Sequence, residues 1–343
     1  MKPIIKNVAM LTASFSMLGG MHVQAAESIT FAGWGGALQD AEREAYLKPA
    51  AKALGITIKE DNMDGLAAVR AQVMSGKPKW DVVELGSNEC VMAEREGLTE
   101  PLDYQIISRD GVADNLRGKN WIASNAYSTV LAWYTDSTTK TPKNWKEFFD
   151  PTIKAQRALY RQPFTTLELA LMADGVGPKD LYPLDVERAF KVMERIKPQV
   201  ANWWRSGSDS AQLLRSREVD ALSIWASRID ELKKSGAPVD YTYDQALLDF
   251  DCVVVPKGAP NKALAMKLIA QIMSPESQAK LVTFIPNPPI NSKAYDTGII
   301  SPEMAATLPT SPANVGKVAF FDPIWWQANQ AELQRRFDLF IQN

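Results

Sequence analysis

A chain of 343 residues, 46% of them hydrophobic and with 38 basic against 40 acidic side chains, has the make-up of a globular protein long enough for two domains. Its mild acidity leaves no electrostatic footprint for nucleic acid or anionic lipid. The one histidine, His22, lies in the N-terminal stretch. The body of the chain therefore has no Ser-His-Asp or Cys-His system and no His-containing zinc site. Two cysteines, Cys90 and Cys252, cannot build a four-cysteine metal site, so no metal or cofactor is expected. Catalysis by carboxylates alone stays open.

Lys2 and Lys6 precede a mostly apolar run over 8–18, and Val23-Gln24-Ala25 gives a small-x-Ala pattern. This predicts an export leader over 1–25, cleaved near Ala25, and a periplasmic mature chain. The apolar run is too short to span a bilayer, and no later segment is long and apolar enough. Without Lys2 and Lys6 the balance is 36 basic to 40 acidic residues, a net −4. In an oxidising compartment Cys90 and Cys252 either pair or stand as two buried thiols, and both readings remain open.

The mature chain opens with an expected strand over 28–32, then Gly33-Trp34-Gly35-Gly36 and a helix over 37–54 that stops at Gly55. A strand over 56–59, a helix over 66–74, a strand over 80–85 and a helix over 88–96 follow. Such alternation predicts a parallel α/β sheet. A β-rich run over 128–134 changes the partner. Next come a short helix from Trp145 to the Asp150-Pro151 stop, a strand over 158–161, and helices over 166–173 and 185–195. A strand over 200–204, a helix over 210–217 and strands over 222–225 and 250–255 complete this unit. Helices over 262–273, 275–283 and 322–340 close the chain. The expected layout is one lobe from 26–127 and 256–320, a second inserted over 128–255, and a C-terminal helix, 321–343, packing on the lobes.

Ligands of open α/β sheets bind beyond the carboxyl ends of the strands. The loops there carry Trp34, Ser87, Asn88, Glu89, Arg161 and Trp225, with Asp249 and Asp251 on a crossing strand and Trp203-Trp204-Arg205 as a further wall. Asp251 stands out because a carboxylate between Phe250 and Cys252-Val253-Val254 needs a partner. Arg161 and Arg205 suit either a ligand or the surface. Arg228, opening Arg228-Ile229-Asp230-Glu231, reads as helix surface, with the cleft as its alternative. Glu84 and Glu89 read as structural or solvated, and Trp80, Trp121, Trp133 and Trp145 as packing. The Gly33–Gly36 loop lacks the Gly-Lys-Ser/Thr ending of a phosphate loop.

Several marks in order resemble the polyamine-type (spermidine/putrescine) periplasmic solute-binding proteins of ABC transporters. They are Gly33-Trp34-Gly35, Trp80-Asp81-Val82-Val83, Thr141-Pro142-x-x-Trp145, Trp203-Trp204-Arg205-Ser206-Gly207 with Gln212-Leu213-Leu214, and the Trp325-Trp326 helix. The resemblance spans nearly the whole mature chain. It implies the type II periplasmic binding fold: two α/β lobes that close about a hinge on a solute and dock on an ABC permease. A monomer with no enzymatic activity is implied. It also implies that Trp34 and Trp225 pack the solute and that Asp251 grips an amine.

The chain departs from the polyamine pattern at several points. Ser87-Asn88 stands where those binders have a Ser/Thr-Tyr pair. Arg161 and Thr165 stand at about the positions of their second-lobe acids, and Asp249 replaces an aromatic. A polyamine needs acids at both ends and aromatic faces between, whereas an arginine grips a carboxylate in a bidentate fork. The expected solute is a zwitterion with separated charges, such as γ-aminobutyrate. Arg161 or Arg205 would hold its carboxylate, and Asp251 with Asp249 its amine. The alternatives are a true polyamine and, from another class, a carboxylate-based enzyme on the same fold.

Overall fold

The computed structural model describes residues 27–342 apart from 139; the expected leader and its cleavage point lie outside the described residues. β1 (Ser28–Gly33) leads into α1 (Gly36–Glu42), one π-helical turn over Arg43–Leu47, and α2 (Lys48–Leu54). Gly55, left-handed at φ 66°, ends that helix. β2 (Thr57–Asn62), α3 (Gly65–Met74), β3 (Val82–Gly86) and α4 (Ser87–Arg95) complete the first alternating run, and β4 (Trp121–Tyr134) leaves it. The second run comprises α5 (Trp145–Phe148), β5 (Arg157–Tyr160), α6 (Pro163–Ala173), α7 (Val186–Ile196), β6 (Val200–Trp204), α8 (Gly207–Arg215), β7 (Ala221–Trp225) and α9 (Ala226–Lys234). β8 (Val239–Val254) returns to α10 (Lys262–Ile272), α11 (Pro275–Phe284) and α12 (Pro302–Ala306), before β9 (Ala319–Phe320) and α13 (Pro323–Gln342).

The strands form one sheet in the order β2-β1-β3-β8-β4-β7-β5-β6, with β9 added on β8. Within each lobe the short strands pair in parallel. The sheet is nevertheless mixed rather than purely parallel, because β4 and β8 run antiparallel to each other and to their neighbours β7 and β3. These two strands are the link between lobes, paired from Trp121↔Val254 to Tyr134↔Val239. Their register shifts where Thr129↔Leu247 gives way to Leu131↔Thr242. There Gln245 takes φ 56° and its carbonyl accepts from Trp145 Nε1 at 2.9 Å.

Among the described residues, three large cores hold the lobes beside a small fourth cluster around Ile300 and Leu308. Ile29, Phe31, Val83, Leu85, Trp121, Ile122, Val253 and Ile269 belong to the first lobe's core. In the second lobe, alternate residues of β4 serve opposite faces, as strand geometry requires. Leu131 and Trp133 face Trp145, Leu171 and Phe190, while Val130 and Ala132 face Leu214, Ile224 and Ile229. After β9, α13 sets Trp326, Leu333 and Phe337 into the second lobe's core and also lies against α4 of the first.

Cys90 of α4 and Cys252 of β8 form a disulfide, with Cα atoms 6.5 Å apart and a sequence separation of 162. It fastens the loop after β3 to the crossing strand. Closing a loop of that size stabilises by about 5 kcal/mol on chain entropy alone. Reduction is therefore expected to lower the melting temperature by about eight degrees. Thermal unfolding with and without dithiothreitol checks this; an unchanged midpoint would show that the bridge contributes little.

Candidate functional site

β4 and β8 place a polar stripe in an otherwise apolar sheet. Asn125 and Tyr127 on β4 stand opposite Asp251 and Asp249 on β8, and Gly86 of β3 stands on the other side of Asp251. A β-bulge at Ser124, between the pairs Ala123↔Cys252 and Asn125↔Asp251, re-aims the local side chains. Asp251 is buried and accepts from Asn125 Nδ2 at 3.2 Å and from the Trp34 indole. Its pKa is pushed well above the usual carboxylate value by burial, then by the charges of Glu84 and Asp249, against those two hydrogen bonds. Asp249 accepts from Ser87 Oγ at 2.6 Å, Tyr127 OH at 2.9 Å and the Phe250 amide at 2.7 Å. Burial still raises it to about 6. No lysine or arginine forms an ion pair with either acid among the described residues, so this end of the site lacks a cation.

Trp34 projects from the loop in which Gly35 and Gly36 both take positive φ, and it is 41% exposed although its indole bonds a buried acid. An exposed indole so anchored is a ready wall for a solute. Asn88, beside Ser87 at the start of α4, keeps Oδ1 buried without a protein partner.

The second lobe contributes an aromatic cluster and a cation. Trp225, at the end of β7, meets Tyr127, Tyr160 and Trp204 edge-on at centroid distances of 6.2, 6.0 and 5.5 Å. Trp204 is fully buried and stacked on Tyr160 at 4.4 Å, so it supports the wall from behind. Gly207 opens α8 after a complete capping box of Ser206 and Asp209. A Cβ at Gly207 would meet Arg228 Nε and Trp225 Cε3, each at 2.8 Å, so only glycine admits both side chains over the helix start. Arg228 Nε is buried with no partner, while Nη1 reaches Glu231 only at 3.3 Å. A half-buried guanidinium over a helix N-terminus is an anion site in waiting.

The structure thus brings Trp34, Ser87, Asn88, Asp249 and Asp251 together, with Trp225 on the facing wall. The expected arginines are placed differently. Arg205 is exposed, and its backbone amide joins the α8 cap through Asp209. Arg161 is half-buried and bonds Trp204 through its backbone. Arg228, Tyr127 and Tyr160 were not among the expected site residues. Asn125 and Tyr127 do carry a signal, the period-two placement of polar groups in a β-rich run. Thr165 takes φ 71° at the start of α6, a strained conformation for a β-branched residue at the mouth of the second lobe. A cavity of about 20 Å³ beside Asp249, lined by Leu116, Leu248 and Phe320, holds no more than a water and is not a solute site.

The family model for bacterial extracellular solute-binding proteins matches residues 45–310. An ABC transporter substrate-binding protein of Bradyrhizobium japonicum shares 42% identity and superposes with a TM-score of 0.87, covering 92% of this chain and all of the other. The Agrobacterium tumefaciens binding protein AgtB, solved with agropinic acid, is 36% identical with a TM-score of 0.77, covering 94% of this chain and all of its own. The γ-aminobutyric acid-binding protein of Pseudomonas aeruginosa is 31% identical over 320 residues, 91% of this chain and 90% of that one. The spermidine/putrescine-binding periplasmic protein of Escherichia coli is more distant, at 22% over 62% of this chain. With the match covering most of its length and its two lobes joined by crossing strands, the chain belongs to the bacterial extracellular solute-binding family and is a substrate-binding protein of the ABC-transporter type.

Proposed function

We propose that the protein is exported and captures a small zwitterion with separated amine and carboxylate, of the γ-aminobutyrate type, for an ABC permease. The observation that carries this reading is the polarity of the site. Acids without a cation, Asp251 and Asp249, line one end, and Arg228 over the α8 N-terminus stands at the other, with Trp225 beside it. The ammonium would sit on Asp251 and Asp249 within reach of Trp34, Ser87 and Asn88. The carboxylate would take Arg228, in place of the Arg161 or Arg205 expected from sequence, and Trp34 and Trp225 would pack the methylenes. Arg161 at the rim and Trp204 behind Trp225 shape the second-lobe wall. The γ-aminobutyrate-binding relative supports the solute class. Thr165 and Arg161 at the position of the polyamine binders' distal acids argue against a diamine. A solute spanning both lobes stabilises the closed form by its differential affinity for that state. The relatives are substrate-binding proteins, which favours capture over turnover.

A thermal-shift panel of γ-aminobutyrate, β-alanine, putrescine, spermidine and agropinic acid tests the reading. A solute at 100 times its Kd adds about 2.7 kcal/mol of stability. A shift with γ-aminobutyrate and none with the diamines is expected. A larger shift with putrescine or spermidine would overturn the reading, and one confined to agropinic acid would move the solute to the class bound by the Agrobacterium relative.

Affinity is also expected to fall on acidification. Asp249, raised to about 6 by burial, takes up a proton as pH drops through that value, and a neutral acid no longer attracts the ammonium. For the solute-free protein the sign reverses. A carboxyl whose folded pKa is raised favours the folded state most at low pH, and that stability is lost as pH rises through about 6. Titrations of Kd between pH 5 and 8 check this; an affinity constant over that range would remove Asp249 from the amine end.

A further inference from the structure

We infer that Glu42 and Glu84 form a proton-sharing acid pair behind the solute site, and that Glu42 is a positioning residue which keeps Asp251 turned toward the solute. The inference rests on the proposed amine end of the site. Glu42 ends α1 at the junction with the π-helical turn, an irregularity of the kind found at functional positions. Its carboxyl is fully buried in hydrogen-bonding contact with that of Glu84 on β3, which is equally buried. No protein donor reaches either oxygen of Glu42, nor Oε2 of Glu84, among the described residues. Two carboxyls in such contact need a proton between them.

Every titratable group acting on Glu42 has the same sign. Glu84, Asp251 and Glu60 face it from β3, β8 and β2, with the Tyr46 hydroxyl beside it. Arg43, the next residue, turns out to Asp40 and Glu60 at the surface. Glu84 already accepts from Ser124 and Asn125 while no donor among the described residues reaches Glu42, so the shared proton sits on Glu42, which donates, and Glu84 remains an acceptor.

Glu84 Oε1 receives Ser124 Oγ at 2.8 Å and Asn125 Nδ2 at 3.1 Å. The same Asn125 nitrogen donates to Asp251 at 3.2 Å, while Asn125 Oδ1 accepts from Asn287 Nδ2 at 3.0 Å. Both ends of the Asn125 amide are thereby fixed, and Asp251 is held from behind. If Glu84 lost its donor it would take up a proton of its own, and Asn125 would then donate to a weaker, neutral acceptor in place of a carboxylate, which loosens the hold on that amide. Glutamine in place of Glu42 supplies an N–H to Glu84 and preserves the chain; leucine does not.

The test compares wild type with Glu42→Gln and Glu42→Leu in the whole protein, reading γ-aminobutyrate affinity and solute-free melting temperature from pH 4 to 8. Glu42→Gln should bind within about threefold of wild type, and Glu42→Leu should weaken binding by about 10- to 100-fold, the loss of one charge-assisted hydrogen bond. Holding a proton that the unfolded chain releases above its ordinary value disfavours the wild-type fold as pH rises. Glu42→Gln should therefore melt higher than wild type at pH 8, with the difference closing toward pH 4. Equal effects of both variants on affinity, or a melting difference independent of pH, would overturn the inference. If Glu42→Leu does not fold, the pH profile of Glu42→Gln decides alone. If wild type ignores γ-aminobutyrate the solute reading fails, yet the melting profile still tests the acid pair.

Discussion

Asp251→Asn is expected to abolish amine binding while leaving the solute-free fold at least as stable as wild type at neutral pH. Removing one partner of a buried ion pair weakens binding by about 2–5 kcal/mol, from some 30-fold to several-thousand-fold. An ordinary buried ion pair would also lose stability on this change, because its partner charge is left alone. Here the partner is the solute. Without it Asp251 is a buried acid among acids, raised by burial and by Glu84 and Asp249. Its folded pKa lies above the unfolded one, so it favours folding below the ordinary carboxylate range and opposes it as pH rises. Asparagine removes that penalty and still accepts from Asn125 and Trp34 through its side-chain oxygen. Calorimetric titration together with a thermal melt checks both halves. Retained affinity, or a melting temperature several degrees lower, would show that Asp251 is structural.

Arg228→Met should cost a zwitterion what Asp251→Asn costs it, but through the other end. Methionine keeps an unbranched apolar chain at the position beside Gly207, and the guanidinium is lost. A buried carboxylate without its fork loses about 2–5 kcal/mol. The diagnostic partner ligand is n-butylamine, which has the amine and the chain but no carboxylate. Its affinity should be unchanged or improved in Arg228→Met, since no anion remains to be satisfied. The corresponding change at Arg205 should have a much smaller effect, because Arg205 is exposed and exposed charges contribute little. Equal losses for γ-aminobutyrate and n-butylamine would mean that Arg228 shapes the wall rather than binding a carboxylate.

The alternation of strand and helix is legible in the sequence wherever strands are short and mostly apolar, as in β1, β3 and β7. The crossing strands were legible only in part. β4 was expected from Ser128 but begins at Trp121, because buried Ser124 and Asn125 break the apolar run. β8 was expected from Phe250 but begins at Val239, its first half carrying Tyr241, Asp244 and Gln245. Those polar residues are what the hinge and the site require, so pattern reading fails where function sits. The start of α9 reads as helix in the sequence, but Arg228-Ile229-Asp230-Glu231 looks like its solvated surface, with the cleft only as the alternative for Arg228. Its first turn instead brings Arg228 over Gly207 at the start of the neighbouring helix α8, a contact that no local spacing reveals. Glu84 was read as structural, and its link to Asp251 through Asn125 depends on a β-bulge that the sequence does not mark. The pairing of Cys90 with Cys252 stays open in the sequence, because two buried free thiols fit the same layout as the bridge that forms.

A structure of the complex with γ-aminobutyrate is the sharpest check that the site has an acidic end and a basic end. The ammonium is expected on Asp251 within hydrogen-bonding reach, the carboxylate on Arg228 at the start of α8, and the methylenes between Trp34 and Trp225. A carboxylate seated on Arg161 or Arg205, or a solute bound in the reverse sense, would contradict it.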